Sequence, residues 1–344
     1  MRPRNDKILS LRVPQIPNEN RVFDLDNLPT KQSWIPGDAS SDGTPPPPPD
    51  FALAALHDAI DDGWEFSHGA DCVSTTTIVL QSGCSSSTAF TVAWIQVLAM
   101  LAQRLEDIDT PLKLAQRAHR AEVLHFGAPG GTMDHVTIAS GGNPLRIGPG
   151  MWDVQVLNPL DPTKDGVWVL ADSGEPKDTM KHLRRCKGKR LELLDKLKGT
   201  WDINQQEKDL LDEEERVLLD ATIVTRDREE DAARLWIGQD DDSAEAKGPR
   251  LGRWMLEHHE ALRDGLDLST PKIERLREAA MNSGAWGFKL VGSGGGGCCV
   301  AWAPLDKVHD VSKGMVEAGA NAIWIIETQA QAASIEIISS RKNE

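Results

Sequence analysis

The sequence predicts an α+β fold divided into two domains. Three observations lead there. Short strand-like runs precede a series of amphipathic helical patterns in the first half, and strand-like and helical segments alternate again after residue 287. A chain of 344 residues is also long for one hydrophobic core. The division is expected near residue 155, giving domains over residues 1–155 and 156–344.

Taken in order, residues 8–13 and 21–25 read as strands. A polar, proline-rich connection follows, in which Pro45 through Pro49 predict a stiff polyproline spacer. Residues 51–60 form an amphipathic helix and residues 72–80 a strand. Over residues 86–105, Ala89, Phe90, Ala93, Trp94, Val97, Leu98 and Leu101 recur at the three-and-four spacing of one buried helical face. A helix over residues 111–124 opens on Pro111, which suits a first helical turn. A glycine-rich loop comes next, then strands over residues 154–157 and 167–170, a basic helical cluster over 182–198, a charged helical pair over 209–230 and an acidic loop over 240–247. Residues 288–291 and 298–302, a helix over 306–318, and strands over 322–327 and 334–338 make a small α+β sandwich.

Three segments carry the chemistry. The first is LQSGCSSSTAFTVAWIQVLA, from Leu80 to Ala99, where a glycine and three serines stand directly before the long apolar helix. The first amides of a helix have no intrahelical acceptor, and the helix dipole is positive there, so the amides and hydroxyls around Gly83 and Ser85–Thr88 favour a bound phosphate. A serine N-cap on a core helix is the plainer alternative. The second is AEVLHFGAPGGTMDHVTIASGG, where Glu122 precedes a Gly/Pro loop and Asp134 follows it. Magnesium takes hard oxygen ligands, which Glu122 and a serine hydroxyl would supply, while a carboxylate such as Asp134 can orient a hydroxyl and accept its proton. A cap or turn role is the plain alternative for each. The third is GAWGFKLVGSGGGGCCVAWAP, in which two strand-like runs flank a loop too rich in glycine for an ordinary hairpin. Such a backbone can wrap an anion with amides, although glycine tracts also serve as linkers.

In this order the three segments resemble the GHMP kinases, the family of galactokinase, homoserine kinase and mevalonate kinase. GCSSSTA is similar to the family's Gly-Leu-Gly-Ser-Ser-Ala-Ala phosphate loop, with Cys84 in place of leucine and Ser87 on the magnesium-binding serine. AEVLHFGAPGGTMDH resembles the galactokinase stretch ending in Gly-Ile-Met-Asp-Gln, with His135 for the glutamine. The glycine tract is similar to the third motif, with Lys289, Gly292 and Ser293 in corresponding places. Residues 251–280, with His259 and a Ser-Thr-Pro, resemble a galactokinase segment upstream of that motif. The resemblance runs from about Cys72 to the C-terminus.

It implies a ribosomal-protein-like N-terminal domain and a ferredoxin-like C-terminal domain with ATP between them. It further implies that Gly83, Ser85, Ser86, Ser87, Thr88, Gly292, Ser293, Gly294 and Gly295 hold ATP, that Ser87 and Glu122 carry Mg2+, that Asp134 is catalytic, and that Gly131 and Asp134 meet the substrate. The implied substrate is a small molecule, a sugar or sugar phosphate, phosphorylated in the galactokinase manner. A nucleotide- or sugar-binding regulator, or a kinase of a heptose phosphate or a mevalonate-like acid, are the open alternatives. The family's opening Gly-Arg-Val-Asn-Leu-Ile-Gly-Glu-His-Thr-Asp-like motif has no counterpart here, so the N-terminal domain is expected to be incomplete, with Arg2 and Arg4 as stand-ins for its arginine.

The formal charge of −15 argues against a nucleic-acid surface, and leaves ATP binding to local amides, Mg2+ and a few cations. Five cysteines without C-x-x-C spacing suggest reduced thiols, and the lack of a Cys/His quartet argues against zinc. His258 and His259 are expected at the surface and a helix interface. No segment reads as a membrane span, so a cytoplasmic monomer or homodimer is expected. Asp172, Ser173 and Lys177 follow a strand and stand either in a simple turn or beside the site.

Overall fold

The computed structural model describes residues 1–16, 20–30, 49–80, 82–128, 130–148, 150–176, 179–239, 245–326 and 333–334. Pro45–Pro48, Lys177, most of the acidic loop and residues 335–338 of the last expected strand lie outside them.

The first half is a four-stranded sheet backed by helices. Strands β1 (Arg2–Pro3), β2 (Ile8–Arg12), β3 (Asn20–Asp24) and β4 (Ala70–Val73) take the order β1-β4-β2-β3, with β2 and β4 parallel and the other pairs antiparallel. Alternation along β2 buries Leu9 and Leu11 on one face. Strand β4 is shorter than the nine residues expected, because its partner β2 ends at Arg12, whose carbonyl takes the last ladder bond from Ser74 N–H. Helices α1 (Phe51–Asp61), α2 (Ser86–Leu101), α3 (Pro111–Glu122) and α4 (Met133–Ser140) pack with the sheet around a core running from Leu9 to Ala139. Asp50 caps α1 and Thr110 caps α3. Helix α2 is enclosed on more than the one face expected: Val92, Ile95 and Ala99 are buried as well as Trp94 and Leu98, whereas Ala93 is exposed. Between α1 and α3, buried Asp58 receives Arg117 at 3.2 Å and Arg120 at 2.9 Å. Burial opposes its charge, but hydrogen bonds from His125 and Arg120 outweigh that and hold the carboxyl below its ordinary range.

A hairpin of β5 (Leu145–Ile147) and β6 (Val154–Val156) follows, and the expected division at residue 155 falls inside β6. The second half has the order β-α-β-β-α-β around an antiparallel sheet β10-β7-β9-β8, a ferredoxin-like arrangement. Its strands are β7 (Val167–Asp172), β8 (Gly287–Leu290), β9 (Cys298–Ala303) and β10 (Ala322–Ile326). Between β7 and β8 come α5 (Thr179–Lys196), α6 (Gln205–Asp209), α7 (Glu213–Trp236), α8 (Lys247–Glu260) and α9 (Pro271–Asn282), and α10 (Val308–Glu317) joins β9 to β10. The charged segment expected as a helical pair is mostly one 24-residue helix, α7, started by a capping box of Asp212 and Glu215. Helix α8 lies directly on β8, and glycine makes that possible. A Cβ on Gly252 would meet the Trp286 carbonyl at 2.5 Å, and one on Gly287 would meet the Gly252 carbonyl at 2.2 Å.

His259 ties α8, α9 and β8 together. It is fully buried, with Nε2 2.9 Å from Glu274 Oε1, and Nδ1 accepts from Leu290 N–H at 3.3 Å. The helix-interface part of the sequence expectation is met, since His259 reaches from α8 to α9, while the surface part is corrected: the side chain is fully buried. Burial opposes the charge of Glu274, but Ser269, Arg277 and His259 all reach it and hold its carboxyl down to about 2, from an ordinary 4.5. A carboxyl that stays charged to lower pH in the folded chain than in the unfolded one stabilises the fold fully above pH 4.5. That stabilisation, on the order of 3 kcal/mol, is lost as pH falls toward 2. Glu274→Gln should therefore lower the urea midpoint at neutral pH, with the gap from wild type closing on acidification; a gap that persists to the lowest pH would assign the effect to packing.

Candidate active site

Helix α2 begins where its apolar pattern predicts, at Ser86, but Ser85 does not cap it. Ser85 sits in the left-handed region at φ 56°, follows Gly83 at φ 85°, and makes no side-chain cap bond. Its carbonyl accepts Ala89 N–H, the first bond of the helix. The amides of Ser86, Ser87 and Thr88 take no backbone partner among the described residues. A serine-capped core helix would have consumed one of them; here the end is left open, as an anion site requires.

Ser87 and Glu122, 35 positions apart, meet at this end: the Ser87 hydroxyl donates to Glu122 Oε1 at 2.6 Å. The other carboxylate oxygen, Oε2, lies 3.0 Å from His135 Nε2 without the alignment of a hydrogen bond, and it is buried and unpartnered. His135 is itself buried, and its ring stands edge-on to His119, 5.1 Å away. Burial and the neighbouring His135 push His119 below the ordinary imidazole range. A hydroxyl beside a carboxylate with a spare oxygen is a hard-oxygen donor pair of the kind Mg2+ accepts, so these residues fit that ion. Sequence reasoning did not single out His119. Its i, i+3 spacing to Glu122 on α3 was the available signal.

Asp134 follows the glycine loop, as read from the sequence, and lies on a helix that the sequence reading did not include. Thr132 precedes α4, its hydroxyl bonded to the Met151 carbonyl at 2.6 Å, and Asp134 lies in the first turn, where the helix dipole favours a negative charge. It is half-buried and has no hydrogen bond or ion pair among the described residues. Gly131 is exposed with open space where a side chain would stand. Arg4 is held by Asp6 at 2.7 Å and Asp71 at 2.9 Å, and neither it nor Arg2 pairs with Asp134 among the described residues.

The glycine loop reaches the serine loop from the second half. Gly292 and Gly294 through Gly297 all have positive φ. Gly295 N–H donates to the Leu268 carbonyl at 2.7 Å and Gly297 N–H to the Glu175 carbonyl at 3.0 Å. The expectation that Gly295 grips ATP thus meets an amide already engaged, whereas Gly292, Ser293 and Gly294 take no backbone acceptor among the described residues. Ser293 Oγ is buried without a partner. Directly after the loop, Cys298 N–H donates to the Ser82 carbonyl at 2.8 Å, and Cys298 Sγ lies 3.3 Å from Cys84 Sγ. No sequence spacing indicates that thiol contact. Asp172 accepts from Gly174 N–H and from Asn321, each at 3.0 Å, and Ser173 accepts from Glu175 N–H, which is the simple-turn reading. Two clefts of about 630 and 570 Å³ lie away from these loops, one beside α7 and residues 264–267 and one beside residues 162–166.

The model of the GHMP kinases N terminal domain matches residues 51–142, and that of GHMP kinases C terminal matches residues 244–321. The chain is 30% identical over 338 residues to a galactokinase of Streptomyces coelicolor, covering 93% of this chain and 79% of that protein. A Haemophilus influenzae galactokinase is 28% identical over 263 residues, covering 72% of this chain and 65% of that protein. The chain thus spans just under two thirds of that relative. Lactococcus lactis galactokinase complexed with galactose superposes with a TM-score of 0.75 at 17% identity, over 96% of this chain and 86% of that one. Among the described residues no helix is long and apolar enough to cross a membrane.

At Gly294 the backbone has φ 71°, and a Cβ would stand 2.6 Å from the Leu268 carbonyl. Gly294→Ala should destabilise the chain by about 1–3 kcal/mol through backbone strain alone, with the clash adding to that, as read from denaturant midpoints; an unchanged midpoint would remove the close approach as the reason for glycine.

Proposed function

Because the chain belongs to the GHMP kinase family, we propose that it transfers the γ-phosphoryl group of ATP to a hydroxyl of a small sugar. The observation that carries this reading is the open start of α2: among the described residues the amides of Ser86, Ser87 and Thr88 take no backbone partner, beside the Ser87–Glu122 pair, and in the glycine loop that meets the serine loop the amides of Gly292, Ser293 and Gly294 take none either. On this reading Gly83, Ser85, Ser86, Ser87 and Thr88 bind the phosphates from one side, and Gly292, Ser293 and Gly294 bind them from the other. Backbone amides and the α2 dipole act there in place of the cations that a net charge of −15 makes scarce. The chain divides for this purpose near residue 155, with the nucleotide between the two parts.

Ser87 and Glu122 would hold Mg2+, which when bound neutralises phosphate charge. His135 stands beside Glu122 Oε2, the oxygen that Ser87 does not use. Asp134, in the first turn of α4, is the group we assign to receive the proton of the acceptor hydroxyl, with Gly131 leaving room for the sugar beside it. Most of the acceleration then comes from alignment and charge stabilisation, and a general base contributes about 10² to 10⁴-fold. The galactokinase matches support a small-molecule substrate.

Asp134→Asn should lower kcat for ADP release by about 10² to 10⁴-fold and leave binding of a non-hydrolysable ATP analogue unchanged. Turnover equal to wild type would take Asp134 out of the chemistry. Hexoses, heptose phosphates and mevalonate offered in parallel identify the acceptor: ADP release with a hexose is expected, and release with mevalonate alone would overturn the sugar assignment.

A further inference from the structure

Cys84 and Cys298 are 214 positions apart, yet their sulfurs are in contact at 3.3 Å. We propose that they are a reversible disulfide site, oxidised by hydroperoxides, which ties the serine loop to the first residue of β9. The backbones already lie side by side, since Cys298 N–H donates to the Ser82 carbonyl at 2.8 Å. Closing the bond to about 2.05 Å requires an approach of about 1.3 Å. Cys84 lies between Gly83 and Ser85, ahead of the first turn of α2, so the approach falls on a loop residue and on rotation of the two cysteine side chains.

Of the other thiols, Cys72 is buried in β4 of the first core, and Cys186, half-buried on α5, has no thiol contact among the described residues. Cys299 sits next to Cys298 but faces the other side of the strand, its sulfur 3.8 Å from the Ala171 carbonyl. Access orders the chemistry: Cys84 is half-buried and Cys298 fully buried. The Cys84 thiolate attacks the peroxide O–O bond, forming a sulfenic acid and releasing an alcohol, or water from hydrogen peroxide. The Cys298 sulfur then attacks Cys84 Sγ, the S–OH bond breaks, and the departing hydroxide takes the Cys298 proton as water. Two thiols are oxidised and one peroxide is reduced, and a small dithiol reverses the change. The hydrogen bond with Cys84 and burial both push the Cys298 thiol above its ordinary range, so the second step should be slow, at the minutes-to-hours end for protein disulfides.

The consequence rests on the kinase reading. Cys84 stands two residues before the open amides of Ser86 to Thr88, so drawing it toward Cys298 displaces the residues that lead into them and narrows the space between the serine and glycine loops that a triphosphate would enter.

The full chain is treated with hydrogen peroxide, unreacted thiols are alkylated under denaturing conditions, and the digest is read by mass. A Cys84–Cys298 linked peptide that vanishes with dithiothreitol is expected, and Cys84→Leu should abolish it. Cys84 over-oxidised to sulfinic acid with Cys298 still alkylated, or a Cys298–Cys299 link instead, would overturn the proposal. Binding of a non-hydrolysable ATP analogue should weaken at least tenfold in the linked chain and return on reduction; a linked chain that binds as tightly as the reduced one would overturn the gating. A reduced chain that binds no analogue would instead overturn the kinase reading and leave the linked peptide as the measure of the disulfide.

Discussion

One backbone hydrogen bond, from Cys298 N–H to the Ser82 carbonyl, joins the two halves of the chain where their loops meet. Its acceptor lies at the entry to the serine loop and its donor at the exit of the glycine loop, so the spacing between the loops is set by main-chain atoms. The glycine loop is in turn fixed to its own half by Gly295 to Leu268, Gly297 to Glu175, and Ser173 to Gly297. Side chains at Gly294 and Gly296 would collide with the very carbonyls of Leu268 and Pro176 that the loop lies against. Glycine is required there because backbone packs on backbone, and the conformations needed have positive φ.

The site residues are carried on elements with their own reasons to be rigid. Helix α2 is buried around most of its circumference, so the open amides at its start are held by packing further along. Helix α3, which delivers Glu122, is bound to α1 by the buried Asp58, Arg117 and Arg120 cluster, with the Arg117 guanidinium 4.3 Å above the Trp64 ring. Asp58 and Arg117 are both buried, so removing either leaves the other charged away from water, and the pair holds α1 and α3 in one relative position. On the far side, α8 lies on β8 through Gly252 and Gly287, and His259 with Glu274 keeps α9 against both.

Much of this was legible from local pattern. The starts of α2 and α3, the alternation of strand and helix in the last elements and the positions of both loops follow from apolar periodicity, Pro111 and glycine runs, whereas the ferredoxin-like order was implied by the family resemblance. Helix α4 was missed because it is only eight residues long and follows a glycine pair, which reads as loop. The excess length given to β4 came from judging Ser-Thr-rich residues without knowing where the partner strand stops. His258 and His259 read as surface and helix-interface residues, and the full burial of His259 was not legible because its partners, Glu274 and the Leu290 amide, come from two other elements.

By itself, the sequence determined which residues could begin an anion-binding helix, where the backbone could be stripped to glycine, and how the elements succeed one another, since each depends on neighbours within a few positions. Only the tertiary structure decided that Ser85 turns away from capping, that Ser87 and Glu122 share a hydrogen bond, that the Gly295 amide is already engaged, and that Cys84 touches Cys298. The Ser87–Glu122 and Cys84–Cys298 pairings reach across 35 and 214 positions. They are set by how two cores pack and how their loops meet, and no short-range pattern of side chains encodes that.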